Sequence, residues 1–222
     1  MSPQTLHIGL LLFPNYQWLD GAGSVDYLNN HSISMMKALN APEAVLDVSP
    51  IIEWYYISSD LTPIKASSGP LQIPSCTYAD CPKLDYLIVP GPDPFVPLPK
   101  GCSEFLHKCI PKLKALLTVC TGSLAIAQAG VLDGFCVCSN KMVLKMFVER
   151  GILNKKVKWI GDKRWNVDGK VWSSAGIDLV AEFARVHFDP RVVELAQLVS
   201  EYEPNPAQPD PFAKILDGIK LD

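Results

Sequence analysis

An uncharged stretch of the chain, residues 115–132, changes character at one cysteine, and this change constrains the fold strongly. Residues 116–119 favour a buried β-strand, whereas small residues compatible with a helix follow Cys120. The stretch reaches the length of the shortest membrane spans, about 17 residues. Its Thr, Ser, Gln and Gly residues make membrane insertion unfavourable. The sequence therefore predicts a strand that turns into a helix at Cys120.

Composition limits the classes of protein that the chain can belong to. Of its 222 residues, 48% are hydrophobic and 19% are charged, with a net charge of −3, which is typical of a water-soluble globular chain. We expect a single domain over residues 1–222, with a Pro-rich C-terminal tail from about residue 203. The charge gives no support to a nucleic-acid partner. We also expect no membrane association.

Cysteine usage points to a reducing compartment. The first apolar run has no Lys or Arg before it, so we expect no signal peptide. The seven cysteines are then predicted to be reduced thiols, and the location cytoplasmic. No C-x-x-C motif occurs, and none of the four histidines has ligand spacing to a cysteine. We therefore expect neither a metal nor another cofactor.

Strand and helix signals alternate along the chain. Apolar or β-branched runs predict strands within 5–13, 51–59, 84–91, 116–119, 135–139 and 156–160, with a hairpin over 164–174. Helical spacing predicts helices within 25–39, 103–113, 121–132, 141–150, 176–188 and 190–202. Ser103 is the predicted N-cap of the helix within 103–113. Such alternation is typical of an α/β fold with a largely parallel sheet.

Cys120 is the first candidate for a catalytic residue. Ligands of open α/β sheets bind beyond the carboxyl ends of the strands, where Cys120 is expected. A helix N-terminus favours the thiolate, which is the reactive form of cysteine. Gly122 would allow close approach of the backbone, and Thr121 offers an N–H and a hydroxyl. The alternative is a small buried cysteine that packs the end of the strand.

Five segments carry a resemblance to a known family. They are "IGLLLFPNYQWLDGAGSVDYL", "LDYLIVPGPDP", "LTVCTGSLAIAQAGVLDG", "SSAGIDLVAEFA" and "LVSEYEPNP". Together they resemble the ThiJ/PfpI superfamily, and within it the branch that contains isonitrile hydratase. The resemblance implies a flavodoxin-like α/β sandwich with helices on both faces of the sheet and a cysteine nucleophile elbow. It also implies a homodimer, as is common in this superfamily.

The resemblance assigns roles to individual residues. It implies that Cys120 is the nucleophile, that Asp20 is the carboxylate facing it, and that Thr121 contacts the reacting group. From the sequence alone, Asp20 is equally compatible with a helix N-cap on the loop before the following helix. Gly91 and Asn140 complete the candidate set, as substrate-binding or oxyanion residues.

Two positions depart from the family pattern. Pro92 replaces the second glycine of the usual Val-Pro-Gly-Gly, and proline has no N–H to donate. Asn140 stands where many relatives have histidine, and asparagine cannot act as a general base. The first departure removes one N–H donor if this position serves an oxyanion hole. The second weakens chemistry that depends on a Cys–His pair, but it leaves a cysteine–carboxylate mechanism intact.

The function predicted from the resemblance is hydration of an isonitrile through a cysteine thioimidate, with Asp20 as acid and base. The substrate would be a small molecule. One alternative is a glyoxalase-like, hydratase or lyase reaction on a reactive carbonyl or a secondary metabolite. Another is a non-catalytic sensor in which Cys120 is oxidised reversibly.

Overall fold

A seven-stranded sheet forms the centre of the protein, whose computed structural model describes residues 3–69 and 71–221. The strands are β1 (Thr5–Leu11), β2 (Ile51–Ser58), β3 (Ile64–Lys65), β4 (Leu71–Gln72), β5 (Cys76–Thr77), β6 (Tyr86–Val89), β7 (Ala115–Val119), β8 (Cys136–Cys138), β9 (Lys158–Ile160), β10 (Trp165–Asp168) and β11 (Val171–Ser174). The sheet has the order β10-β11-β7-β6-β1-β2-β5, while β3–β4 and β8–β9 form separate pairs.

The helices are α1 (Trp18–Asn29), α2 (Ile33–Ala38), α3 (Glu43–Leu46), α4 (Cys102–Cys109), α5 (Gly122–Ala127), α6 (Lys141–Glu149), α7 (Asp178–His187) and α8 (Pro190–Ser200). Two 3-10 turns, Ile110–Lys112 and Ala213–Leu216, complete the regular structure. The predicted α/β class with a mostly parallel sheet is confirmed, and the architecture is a flavodoxin-like α/β sandwich.

The sheet places the end of β7 beside the ends of its neighbours. β7 is parallel to β6 on one side and to β11 on the other, and only β10 runs antiparallel, as an edge strand. All five residues of β7 are buried, which explains their uninterrupted apolar character. Because parallel strands end at the same edge, the residues after β6, β7 and β11 converge on one region.

Three of the predicted helices have wrong boundaries. α1 begins at Trp18, so Asp20 lies in its first turn and Gln17 is the N-cap. Gly21 lies in this helix, close to the Tyr16 ring. A Cβ at position 21 would approach the ring to 2.7 Å, so the position requires a residue without a side chain. The predicted helix over 25–39 is interrupted after Asn29, since the Ser32 side chain caps a new helix by accepting from Met35 N.

The other two errors concern helix ends. α4 begins after Gly101, whose φ of +83° suits a residue without a side chain, and Ser103 lies inside the helix. Pro111 falls within the 3-10 turn that follows α4. α5 ends at Ala127, well before the predicted end at residue 132, and Gly130 follows with a φ of +73°.

The C-terminal tail packs against the domain. Asp210 and Lys141 form a buried ion pair at 2.9 Å, and Ala207 O accepts a hydrogen bond from Arg164 N at 2.8 Å. Leu216 joins the hydrophobic core. In the described part of the chain, no helix has the length and apolar character needed to cross a membrane.

Candidate active site

The backbone turns sharply at Cys120, between β7 and α5. Cys120 has a φ of +57°, in the left-handed region that non-glycine residues rarely adopt. The conformation is held by two hydrogen bonds: Cys120 N donates to Ser174 O, and Ser139 Oγ donates to Cys120 O, each at 2.9 Å. Such strain, of about 1–3 kcal/mol, persists where the surrounding structure imposes it. The predicted elbow geometry is confirmed.

Gly122 allows the elbow to pack against β6. A Cβ at this position would lie 2.3 Å from Val89 O and 3.0 Å from Pro90 O. No side chain can be accommodated at these distances. The first turn of α5 therefore lies directly against the end of β6, which brings Gly91 to the same place.

Asp20 reaches the elbow from the first turn of α1. Asp20 is 5% exposed, and its Oδ2 accepts a hydrogen bond from Gly91 N at 3.1 Å. Its carboxylate lies beside the Cys120 thiol, close enough for each group to shift the pKa of the other. A second bond joins the same segments, because Gln17 N donates to Gly91 O at 2.8 Å. Three segments distant in sequence thus meet around one carboxylate–thiol pair.

The two acidic groups of this pair have displaced pKa values. Burial raises the pKa of Asp20 to about 6, against the opposing effect of the hydrogen bonds from Gly91 and Cys120. Burial and the charge of Asp20 raise the pKa of Cys120 to about 12, although contacts with Thr121 lower it. The predicted resting thiolate is therefore wrong for this geometry. At neutral pH the proton resides on sulfur and the carboxylate is ionised.

Thr121 and Gly91 form the wall beside the sulfur. The backbone N–H and the hydroxyl group of Thr121 lie near the Cys120 sulfur and lower the pKa of the thiol. The hydroxyl donates its proton to Pro92 O at 2.6 Å. Pro92 thus contributes its carbonyl to the corner in place of an N–H. The N–H of Gly91 is engaged by Asp20, so in this arrangement it orients the carboxylate.

Asn140 does not join the other four candidates in a hydrogen-bonded cluster. Its side-chain oxygen accepts a hydrogen bond from Val143 N at 3.2 Å and caps α6. Asn140 follows Ser139, which contacts the elbow, and it lines a cavity of about 210 Å³ together with Gly176 and Phe212. A second cavity, of about 250 Å³, adjoins the corner through Pro92.

The histidines are bonded elsewhere in the described structure. Their partners are Tyr55 for His7, Tyr27 O for His31, Ala129 O for His107 and Phe183 O for His187. None of these contacts involves the sulfur of Cys120. The acid–base partner that the described residues place beside Cys120 is Asp20.

Asp178 has a larger structural role than sequence reasoning indicated. It is 5% exposed and accepts hydrogen bonds from Arg164 Nε at 3.0 Å, Tyr202 Oη at 2.6 Å and Asn205 N at 3.0 Å. The motif "AGID" preceding an amphipathic helix was the available signal, but the partners are distant in sequence.

Comparison with known proteins places this fold and elbow in a family. The sequence profile of the DJ-1/PfpI family matches residues 32–189, which is more than half of the chain. The chain belongs to the DJ-1/PfpI family. Asp20 lies outside the matched range, so its place beside Cys120 comes from the geometry. Isonitrile hydratase from Pseudomonas putida is 29% identical over 203 residues, covering 90% of this chain and 80% of the relative.

Solved structures agree with the family assignment at the level of fold. A ThiJ/PfpI family protein from Pseudomonas syringae has a TM-score of 0.69 at 21% identity, covering 93% of this chain and 78% of the other. Drosophila melanogaster DJ-1beta has a TM-score of 0.68 at 13% identity, covering 90% and 100% respectively. Both structures therefore have the same overall fold as this chain.

Proposed function

We propose that this protein is a cysteine-dependent hydratase that converts an isonitrile, R–NC, to the N-substituted formamide. The observation that carries the proposal is the position of the Asp20 carboxylate beside the Cys120 thiol on a strained elbow. The similarity to isonitrile hydratase from Pseudomonas putida supports the choice of substrate class.

The first half of the reaction uses the proton held by this pair. Asp20 removes the proton from Cys120 as the sulfur adds to the terminal carbon of the isonitrile. The resulting carboxylic acid then delivers that proton to the same carbon. The product is the thioimidate R–N=CH–S–Cys120, and Asp20 is again a carboxylate.

The second half consumes one water molecule. Asp20 takes a proton from water as the hydroxide adds to the thioimidate carbon, and this proton passes to the nitrogen. The C–S bond then breaks, the hydroxyl proton returns to the sulfur by way of Asp20, and R–NH–CHO leaves. One carboxylate serves both halves, so no histidine is required at position 140.

The pKa of Asp20 suits both roles. A value of about 6 leaves the group mostly ionised at neutral pH, yet basic enough to take a proton from a thiol or from water.

The proposal is tested with p-nitrophenyl isonitrile, following formamide formation by chromatography. We expect turnover by the unaltered protein, loss of at least a thousandfold in Cys120→Ala, and loss of about a hundredfold or more in Asp20→Asn. Cys136→Ser, at a half-buried thiol on β8, is the matched control and should keep full activity.

Two outcomes would contradict the proposal. Full activity in Cys120→Ala would remove the nucleophile from the mechanism. Absence of turnover, with Cys120 still alkylated rapidly, would discard the isonitrile and leave reactive carbonyls such as methylglyoxal as the next substrates to assay.

A further inference from the structure

A second group of thiols surrounds a cavity at the other edge of the sheet. This cavity, of about 210 Å³ and here termed the thiol pocket, lies next to the residues that lead into the amino end of β6. One wall consists of Phe105, Lys108, Cys109 and Lys112, whose spacing puts them on one helical face. Cys81 lines the opposite wall.

Cys81 lies near another thiol. The thiol of Cys81 donates to Pro82 O at 3.5 Å and lies close enough to the thiol of Cys76, which is buried on β5, for each to shift the pKa of the other. A tight turn joins the two residues, with Cys81 N donating to Thr77 O at 3.0 Å and Thr77 N donating to Asp80 Oδ1 at 2.6 Å. This turn keeps the two residues close together, and Cys81 lines the pocket.

The entrance of the thiol pocket is positively charged. Lys83, Lys108 and Lys112 line it and are exposed. Among the described residues, none of the three forms an ion pair with a carboxylate. Asp80 is the carboxylate whose charge acts on the thiols, and it accepts hydrogen bonds from Thr77. The pocket therefore favours an anionic ligand.

We propose that Cys76 and Cys81 form a disulfide by exchange with a small anionic disulfide that enters the thiol pocket. This modification site is separate from Cys120, and the inference does not depend on the proposed hydratase activity. The lysines supply the attraction for carboxylates of the incoming disulfide, and the adjacent buried thiol completes the exchange.

The exchange balances as two thiol–disulfide steps. Cys81 attacks as the thiolate, after its proton has passed to water. Its sulfur bonds to one sulfur of R–S–S–R and forms Cys81–S–S–R, and the released R–S⁻ takes up a proton to give R–SH. Cys76 then loses its proton to water, its sulfur attacks the Cys81 sulfur, and the second R–S⁻ leaves and is protonated, which gives the Cys76–Cys81 disulfide. The protein loses two electrons and two protons, which the incoming disulfide takes up.

Burial raises the pKa of both thiols, and for Cys81 the neighbouring Cys76 adds to the effect. Both groups are therefore protonated at neutral pH. Exchange at this site depends on retention of the reagent beside the sulfurs, for which the three lysines are responsible. A neutral disulfide has no such retention and should react more slowly.

The first test maps disulfides by mass spectrometry after incubation with oxidised glutathione, a disulfide with net negative charge. We expect a Cys76–Cys81 crosslink in the unaltered protein. Cys76→Ser should accumulate a mixed glutathione disulfide at Cys81, whereas Cys136→Ser should form the crosslink normally. If Cys76→Ser does not fold, the disulfide map of the unaltered protein still shows whether the Cys76–Cys81 crosslink forms.

The second test concerns charge. The triple variant Lys83→Gln, Lys108→Gln, Lys112→Gln should form the crosslink at least fivefold more slowly with oxidised glutathione, and at an unchanged rate with neutral 2-hydroxyethyl disulfide. Equal slowing with both reagents, or no slowing, would overturn the anionic specificity. A Cys81–Cys109 crosslink, or Cys76 and Cys81 remaining thiols while Cys136 is modified, would overturn the site itself.

Discussion

Gly91 N donates a hydrogen bond to Asp20 Oδ2 at 3.1 Å, which fixes the carboxylate beside Cys120. The bond joins the end of β6 to the first turn of α1. It is reinforced by the bond from Gln17 N to Gly91 O. The carboxylate is thus held by the backbone in a buried position, and the consequences of that burial can be measured.

The rate of the proposed reaction should depend on the ionisation of Asp20. A carboxylate with a pKa of about 6 acts as a base only above that pH. We expect kcat/KM to rise about tenfold per pH unit below pH 6 and to level off above it. A pH–rate profile of the unaltered protein gives this value, and a profile levelling off near pH 4 would show that Asp20 is not the base.

Asp20→Asn should stabilise the protein at neutral pH while it removes activity. The carboxyl pKa is 3.8 in the unfolded chain and about 6 in the folded one, so the folded state binds the proton more tightly. Stability contributed by this group is present below pH 3.8 and is lost as the pH rises through 6.

Asparagine at position 20 keeps an oxygen that can accept the hydrogen bond from Gly91 N, but it carries no buried charge. We expect a gain of about 1–3 kcal/mol in the free energy of unfolding at pH 8, which vanishes near pH 4. Urea titrations at both pH values measure it, and an equal gain at both would contradict the assignment.

Gly122→Ala should damage both fold and elbow. Its Cβ would meet Val89 O at 2.3 Å, so α5 and the end of β6 would have to separate. We expect a loss of at least ~2 kcal/mol in the free energy of unfolding. Gly176→Ala is the matched control, because a Cβ there meets nothing within 4 Å. Similar losses in both variants would show that close packing at Gly122 is not the cause.

Asp178→Asn should loosen the C-terminal tail. Although burial acts in the opposite direction, hydrogen bonds from Tyr202, Arg164 and Asn205 lower the pKa of Asp178. Its stabilising contribution is therefore present above the unfolded pKa, about 4, and is lost as the pH falls. At pH 7 we expect Asp178→Asn to lose about 2–4 kcal/mol in the free energy of unfolding, because Arg164 keeps a partly buried, unpaired charge.

The control for Asp178→Asn is Glu182→Gln. It breaks an exposed pair with Arg185 and should change the free energy of unfolding by less than about 0.5 kcal/mol. Faster proteolysis of the tail in Asp178→Asn alone would confirm the local effect.

His31 should make the fold sensitive to acid. It is fully buried, and burial lowers its pKa to about 4. Between pH 6.5 and pH 4 the unfolded chain binds the proton and the folded chain does not, so stability falls as the pH is lowered. His31→Gln should reduce the slope of stability against pH in this window. An unchanged slope in His31→Gln would assign the acid sensitivity to other groups.

Features encoded by neighbouring residues were predicted correctly. The strand β7 and the helices within 141–150 and 190–202 were predicted from local signals. The apolar run of β7 acts through burial, whereas Pro190 at the start of α8 and Gly151 after α6 act through their allowed backbone angles. The elbow at Cys120 belongs to this group. The homodimer, the cytoplasmic location and the single domain remain predictions.

The contacts between residues that are distant in sequence were determined only by the tertiary structure. The sequence by itself determined the alternation of strands and helices and the position of the thiol at the end of a buried strand. Only the folded chain brings Asp20 and Gly91 to Cys120, and only their burial raises both pKa values and leaves the proton on sulfur. A pKa depends on solvent exclusion and on charges nearby in space, and neither is encoded in the residues adjacent along the chain.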